Sequence, residues 1–224
     1  MKSNELIKSL EKEFNKYSIP AIAKSQKAYM RNKFDFFGLT ASKRREIQKT
    51  YFNYFQINDL KEFVTLLWNL NQRDYQYIAQ ELLYVNYKEF KVKDVKLFEY
   101  MIINKPWWDT IDFLSPKILG KYFKLFPDEI EKNTQKWISS NNIWLQRSAI
   151  LFQLKYKETL NTDLLTRIIL PLSNTNEFFV NKAIGWVLRE YGKTNKDWVF
   201  YFVKKNKLSN LSSREALKHI DKEK

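Results

Sequence analysis

The stretch NKPWWDTIDFL, residues 104–114, sets two adjacent tryptophans and two acids directly behind a proline. Locally it is a helix start: Pro106 stands at the entry and Asp109 in the first turn, where a carboxylate meets the positive end of the helix dipole. Along the whole chain it does more, because it recurs in outline. Trp108 opens an apolar helix, and so do Tyr75, Trp144 and Phe179, at successive spacings of 33, 36 and 35 residues. Each of these helices follows another helix, so the repeating unit is a helical hairpin. Paired helices at this period are the mark of an α-solenoid of HEAT-like units.

The rest of the chain agrees with an all-α fold. Residues 3–17 carry Leu6, Ile7, Leu10 and Phe14 on one helical stripe. Pro20 opens a second helix over 20–33, and a Thr or Ser cap after Gly38 opens a third over 40–55. Further helices are expected near 59–70, 73–90, 93–103, 107–125, 127–140, 142–157, 161–172, 177–192, 195–206 and 212–221. With 4 Gly and 5 Pro the chain has few turns, strand-like alternation is scarce, and no linker divides it. One HEAT-like repeat domain over 1–224 is the expectation.

Composition removes several chemistries. The chain has no cysteine, which excludes disulfides, thiolate nucleophiles and cysteine zinc sites and fits a reducing cytoplasm. Its single histidine, His219, lies in a Lys-rich tail, so histidine triads and paired-histidine metal sites are excluded. No apolar run approaches 18 residues, and the N-terminal stretch reads as an amphipathic helix rather than a signal peptide. A cytoplasmic location without membrane contact is expected. Against 25 acids stand 39 Lys and Arg, a net charge of +14. An imbalance of that size speaks of partners, nucleic acid first, or else of a Lys-rich solvated surface set by base composition.

Overlaying the helix starts gathers the unusual residues. Trp108 stands at offset 0 from its anchor, Asp112 at +4, Arg147 and Lys182 at +3, and Trp186 at +7. These offsets share one helical face, and in a stacked array that face lines one concave surface. Asp112, between Ile111 and Phe113, either pairs with a cation such as Arg147 or is functional. Arg147 interrupts an apolar face and needs an anion, either Asp112 or a phosphate. Trp107 reads as core; Trp108 and Trp186, taken singly, do too. Nearer the N-terminus, GLTASKRREIQK supplies Lys43, Arg44, Arg45 and Lys49 behind a helix start, as an anion site or an exposed charged helix. Just upstream, SQKAYMRNKFDFFG adds Lys27, Tyr29, Arg31 and Lys33, a mixture suited to a sugar-phosphate backbone. No P-loop, dinucleotide fingerprint or HExxH motif occurs.

Four segments, AYMRNKFDFFGLTASKRR, KPWWDTIDFLSPKILG, IWLQRSAILFQLKY and VNKAIGWVLREYGK, together resemble the AlkD family of bacterial DNA alkylation repair glycosylases. The resemblance runs in family order from about residue 20 to about 205. Ser42 stands where family members often carry proline, which leaves the helix cap intact. The resemblance implies a HEAT-like solenoid holding duplex DNA in a concave basic groove. It implies excision of cationic bases such as 3-methyladenine and 7-methylguanine, with no metal and no cofactor, by a bacterial monomer associated with the nucleoid. Asp112 becomes the catalytic carboxylate, Trp108 and Trp186 the aromatic walls, and Arg147 a phosphate ligand. Lys182, Arg189, Tyr29, Lys43, Arg44, Arg45 and Lys49 complete the expected DNA-binding set. The family further suggests contact with the sugar-phosphate while the base stays outside, in place of the usual flipping into a pocket.

The chemistry suits these residues. A purine alkylated at N3 or N7 carries positive charge and departs as a neutral base, so it needs little acid help. Cationic charge then develops on the deoxyribose, where a fixed carboxylate stabilises it and can orient the attacking water. Tryptophan faces attract the same charge, by about 0.5–2 kcal/mol each. Two other readings stand beside this one: a non-catalytic relative that recognises bent, branched or damaged DNA, and a HEAT-type protein scaffold. A carboxylate presented to a polyanion counts against the first, and steep salt dependence of DNA binding would count against the second.

Overall fold

The computed structural model describes residues 3–52 and 60–220. Among them every regular element is helical, and an isolated bridge pairs Asp35 with Gln72. The ends of the helices expected over 40–55, 59–70 and 212–221 lie partly outside the described residues. No described helix is long and apolar enough to cross a membrane. The chain divides into two compact units, Met1–Glu89 and Phe90–Lys224.

The first unit holds α1 (Ser3–Lys16), α2 (Pro20–Tyr29), α3 (Ala41–Phe52), α4 (Leu60–Asn69) and α5 (Arg73–Val85). The stripe on α1 buries Leu6, Leu10 and Phe14. Phe14 meets Phe37 edge-on at 5.2 Å, and Phe37 meets Tyr75 of α5 at 5.4 Å. α2 stops at Tyr29 rather than near 33 because Arg31 and Asn32 turn left-handed, at φ 54° and 58°. Gly38, at φ +85°, makes the next turn, where a Cβ would run into the Ile19 carbonyl oxygen. Thr40 then caps α3, its hydroxyl accepting from the Lys43 N–H at 3.2 Å. α5 is shorter than 73–90 and continues as a single 3-10 turn, Tyr87–Glu89.

The second unit holds α6 (Val95–Ile103), α7 (Trp108–Phe113), α8 (Gly120–Leu125), α9 (Glu129–Ile138), α10 (Ile143–Leu151), α11 (Thr162–Leu172), α12 (Phe178–Tyr191), α13 (Lys196–Lys205) and α14 (Asn210–Leu217). α7 and α8 form the helix expected over 107–125, but a π turn, Leu114–Leu119, joins them. The packing is that of stacked hairpins: the π turn packs on α10, α10 on α12 and α12 on α14, while α9 packs on α11 in the other layer. Phe123, Trp137 and Phe152 interlock between the layers, with ring centres 4.8 and 5.8 Å apart. α10 ends at Leu151, short of the expected 157, and Lys157 turns left-handed at φ 52°. Asn142, Asn161 and Asn195 cap α10, α11 and α13 with their side-chain oxygens.

Candidate active site

α7 begins at Trp108 because the residue before it, Trp107, is fully extended at φ −159°. That extension drives Trp107 inward, to 8% exposure. Its ring lies 5.8 Å from Trp144 and 5.2 Å from Phe179, which are themselves 4.9 Å apart. Trp107 thus joins the aromatic anchors of the next two hairpins, Trp144 and Phe179, in one cluster. Trp108, the next residue, is left half-buried at the helix start.

One turn further along α7 comes Asp112. Arg147 of α10 grips it from the side, Nε donating to Oδ1 at 2.8 Å and Nη2 to Oδ2 at 3.0 Å. The remaining nitrogen, Nη1, donates to the Phe179 carbonyl at 2.5 Å. The Arg147 side chain is 5% exposed, whereas Asp112 keeps 22%. The guanidinium also lies 6.0 Å from the Trp186 ring centre on α12. Three of the residues overlaid by offset, Asp112, Arg147 and Trp186, are therefore brought together by α7, α10 and α12. Burial raises the pKa of Asp112 above the ordinary aspartate value; the charge and hydrogen bonds of Arg147 oppose that, and Asp109 adds to it.

Of the two anions open to Arg147 from the sequence, Asp112 is the one it meets here. All three of its nitrogens are engaged inside the protein and almost no surface remains for a phosphate oxygen. In this arrangement it holds the carboxylate. A two-pronged grip fixes the plane of the carboxylate as well as its position.

Lys182 and Arg189, both on α12, converge on one acid, Glu215 of α14. The Lys182 ammonium is 3.0 Å from Glu215 Oε1, and Arg189 Nη1 donates to Oε2. Hydrogen bonds first from Lys182 and then from Arg189 pull the pKa of Glu215 down. The close approach requires Gly185, where a Cβ would come within 2.5 Å of the Glu215 Cβ and 3.0 Å of the Ser212 carbonyl oxygen. Lys182 remains 36% exposed and Arg189 24%.

In the first unit the basic residues behave unequally. Arg44 is buried, its Nη2 bonded to Glu81 at 2.8 Å and its guanidinium over the Tyr77 ring at 4.8 Å. Of the basic residues of this unit expected to bind DNA it is thus the one turned inward, onto Glu81. Arg45 reaches the same Glu81 at 3.1 Å but stays 60% exposed. Lys43 pairs with Glu46 at 2.8 Å and lies over the Tyr17 ring. Lys49 and Tyr29 are exposed.

Sequence reasoning passed over Glu81, Glu215 and the carbonyl of Phe179. Glu81 and Glu215 look like solvent-facing acids on amphipathic helices, and only the partner helix shows that each gathers two cations. The backbone oxygen of Phe179 carries no side-chain signal.

A family model described as DNA alkylation repair enzyme matches residues 10–220, a span that includes every site residue named above. A solved structure described as a predicted DNA alkylation repair enzyme from Enterococcus faecalis is 33% identical, with a TM-score of 0.85, over 92% of this chain and 97% of that one. Among curated proteins no match was found.

Proposed function

The chain belongs to the DNA alkylation repair enzyme family, and from that premise we propose that it is a glycosylase that hydrolyses the N-glycosidic bond of cationic alkylated purines, 3-methyladenine and 7-methylguanine, in duplex DNA. The observation that carries this reading is Asp112: a carboxylate fixed by two hydrogen bonds from a buried arginine, yet open over about a fifth of its surface. A pair that served packing alone has no need of an open carboxylate face.

The chemistry follows from the geometry. Each carboxylate oxygen spends one acceptor direction on Arg147 and keeps another. The arginine favours the ionised form despite burial and cancels much of the repulsion that a bare carboxylate would exert on phosphate. When the glycosidic bond lengthens, the cationic deoxyribose meets a negative charge already in place, which is electrostatic stabilisation without reorganisation. The same oxygens can orient water for attack at the anomeric carbon. Trp186, beside Arg147, and Trp108, at the start of the same helix as Asp112, supply aromatic faces for the developing charge. No general acid is required, because the alkylated base leaves neutral.

Lys182, Arg189, Arg45, Lys43, Lys49 and Tyr29 are the proposed contacts to the DNA backbone. They position the duplex and carry no sequence information. The protein acts on this reading as a monomer on chromosomal DNA in a bacterial cytoplasm.

A second reading makes the Asp112–Arg147 pair a fastener in a protein that recognises damaged or bent DNA without cutting it. The bidentate geometry is what such a fastener would show. Release of methylated purines by the wild type and by Asp112→Asn separates the two: a glycosylase releases base and loses that activity in the variant, whereas a binder releases none.

A further inference from the structure

The helix that carries Asp112 changes character just after it. α7 ends at Phe113 and the π turn Leu114–Leu119 follows. Such turns are rare and recur at functional sites. Here the cause is local. Pro116 has no N–H, so the carbonyl one wide turn back, that of Ile111, has no backbone donor from it. The Ile111 oxygen accepts instead from the Leu114 N–H and from the Ser115 hydroxyl, which lies 2.7 Å away.

The same hydroxyl is hydrogen-bonded across the helix interface, 3.0 Å from the Ser148 hydroxyl on α10. Both serines are 0% exposed, and so are Ile111, Leu114, Ile118 and Ala149 around them. With no water to turn to, the Ser148 hydroxyl is satisfied by Ser115, whose own hydroxyl also holds the Ile111 carbonyl. Ser115 lies nearly one turn past Asp112, and Ser148 directly follows Arg147. The serine pair therefore ties α10 to the π turn just after Asp112, one step deeper in the core than the ion pair. Sliding α10 along that segment would break this bond and strand the Ser148 hydroxyl.

Building on the glycosylase reading, we propose that Ser115 and Ser148 are positioning residues: their buried hydrogen bond, seated by the π turn at Pro116, sets the register in which Arg147 takes Asp112 with two bonds and aims the carboxylate at the sugar. The pair touches no substrate. It acts on the rate through Asp112 and leaves DNA binding to the surface cations.

The test compares wild type, Ser115→Ala and Ser148→Ala. Two quantities are measured: single-turnover release of 7-methylguanine from methylated duplex, and Kd for the same duplex without lesions. Each variant is expected to release base about 10- to 100-fold more slowly, as misplacement of a catalytic group by an ångström or less would cause, with Kd unchanged. Combining Ser148→Ala with Arg147→Lys should cost less than the product of the two single effects, since both act on one geometry. Ser148→Ala keeps the Ser115–Ile111 contact, so it carries the test if Ser115→Ala does not fold. An unchanged release rate, or rate and binding falling together, overturns the positioning role while wild-type release leaves the glycosylase reading standing. Absence of release by wild type defeats the glycosylase reading itself, and this proposal with it.

Discussion

Replacing Arg147 with methionine tests the physical core of the site. The side chain is 5% exposed and gives two hydrogen bonds to Asp112 and one to the Phe179 carbonyl. Removing one partner of a buried ion pair costs about 3–5 kcal/mol, because the other charge stays behind without compensation. Asp112 is 22% exposed, so water recovers part of that loss and the lower end, about 3 kcal/mol, is expected. For a domain of this size that lowers Tm by about 6–12 °C. Removing both partners, Arg147→Met with Asp112→Leu, restores most of it, since an apolar pair of similar volume pays no desolvation. The pH dependence has a definite sign. Asp112 already has a raised pKa in the folded protein, so its ionisation costs stability as pH climbs through that value. Without Arg147 the pKa rises further; the deficit is therefore full at neutral pH and shrinks on acidification, as Asp112 becomes neutral. Thermal and urea denaturation followed by tryptophan fluorescence, at neutral and at mildly acidic pH, measure all of this. A loss below about 1 kcal/mol in Arg147→Met, or a double variant as unstable as the sum of its singles, would refute the reasoning.

Further outcomes are expected at Glu215, at Gly185 and at Arg44 and Arg45. Glu215→Gln releases Lys182 and Arg189, so duplex DNA binds more tightly at low salt and the log–log salt slope steepens by about 1–2; an unchanged slope would mean that these cations do not face DNA. The same variant loses an acid-sensitive stabilisation, because the lowered pKa of Glu215 supports the fold at neutral pH and that support vanishes as pH falls through it. Gly185→Ala drives a methyl into Glu215 and the Ser212 carbonyl and costs about 1–3 kcal/mol in a thermal melt; a neutral result would show that α14 moves away freely. Arg45→Ala weakens DNA binding and reduces the salt slope by about 1 at unchanged Tm, whereas Arg44→Ala lowers Tm through the loss of a buried partner of Glu81.

The helices were legible because the information is local. Period-3.6 stripes such as Leu6, Leu10 and Phe14, and starts such as Thr40 after Gly38, need no tertiary knowledge. The breaks were less legible. Arg31 and Asn32 end α2 through left-handed backbone that their identities do not announce, and Pro116 bends the Asp112 helix into a π turn instead of ending it. In the site, offsets on successive hairpins placed Asp112, Arg147 and Trp186 together, since offsets that share a helical face point the same way in a stacked array. What offsets cannot carry is depth. Whether Arg147 or Arg44 reaches solvent depends on the side chains packed around it, and both turn out to be buried and paired with an acid. Likewise Trp107 and Trp108 are equivalent as letters; one extended residue at the helix entry decides which of them enters the aromatic cluster.

The most direct measurement is release of free base from methylated duplex DNA by wild type and by Asp112→Asn, with binding of both to undamaged duplex measured alongside. The account predicts that wild type liberates 7-methylguanine or 3-methyladenine, and that Asp112→Asn binds undamaged duplex as wild type does but releases base at least about 100-fold more slowly, the scale of losing one preorganised charge at a reacting centre. Base release by Asp112→Asn at the wild-type rate, or a wild type that binds duplex and liberates nothing, would contradict it.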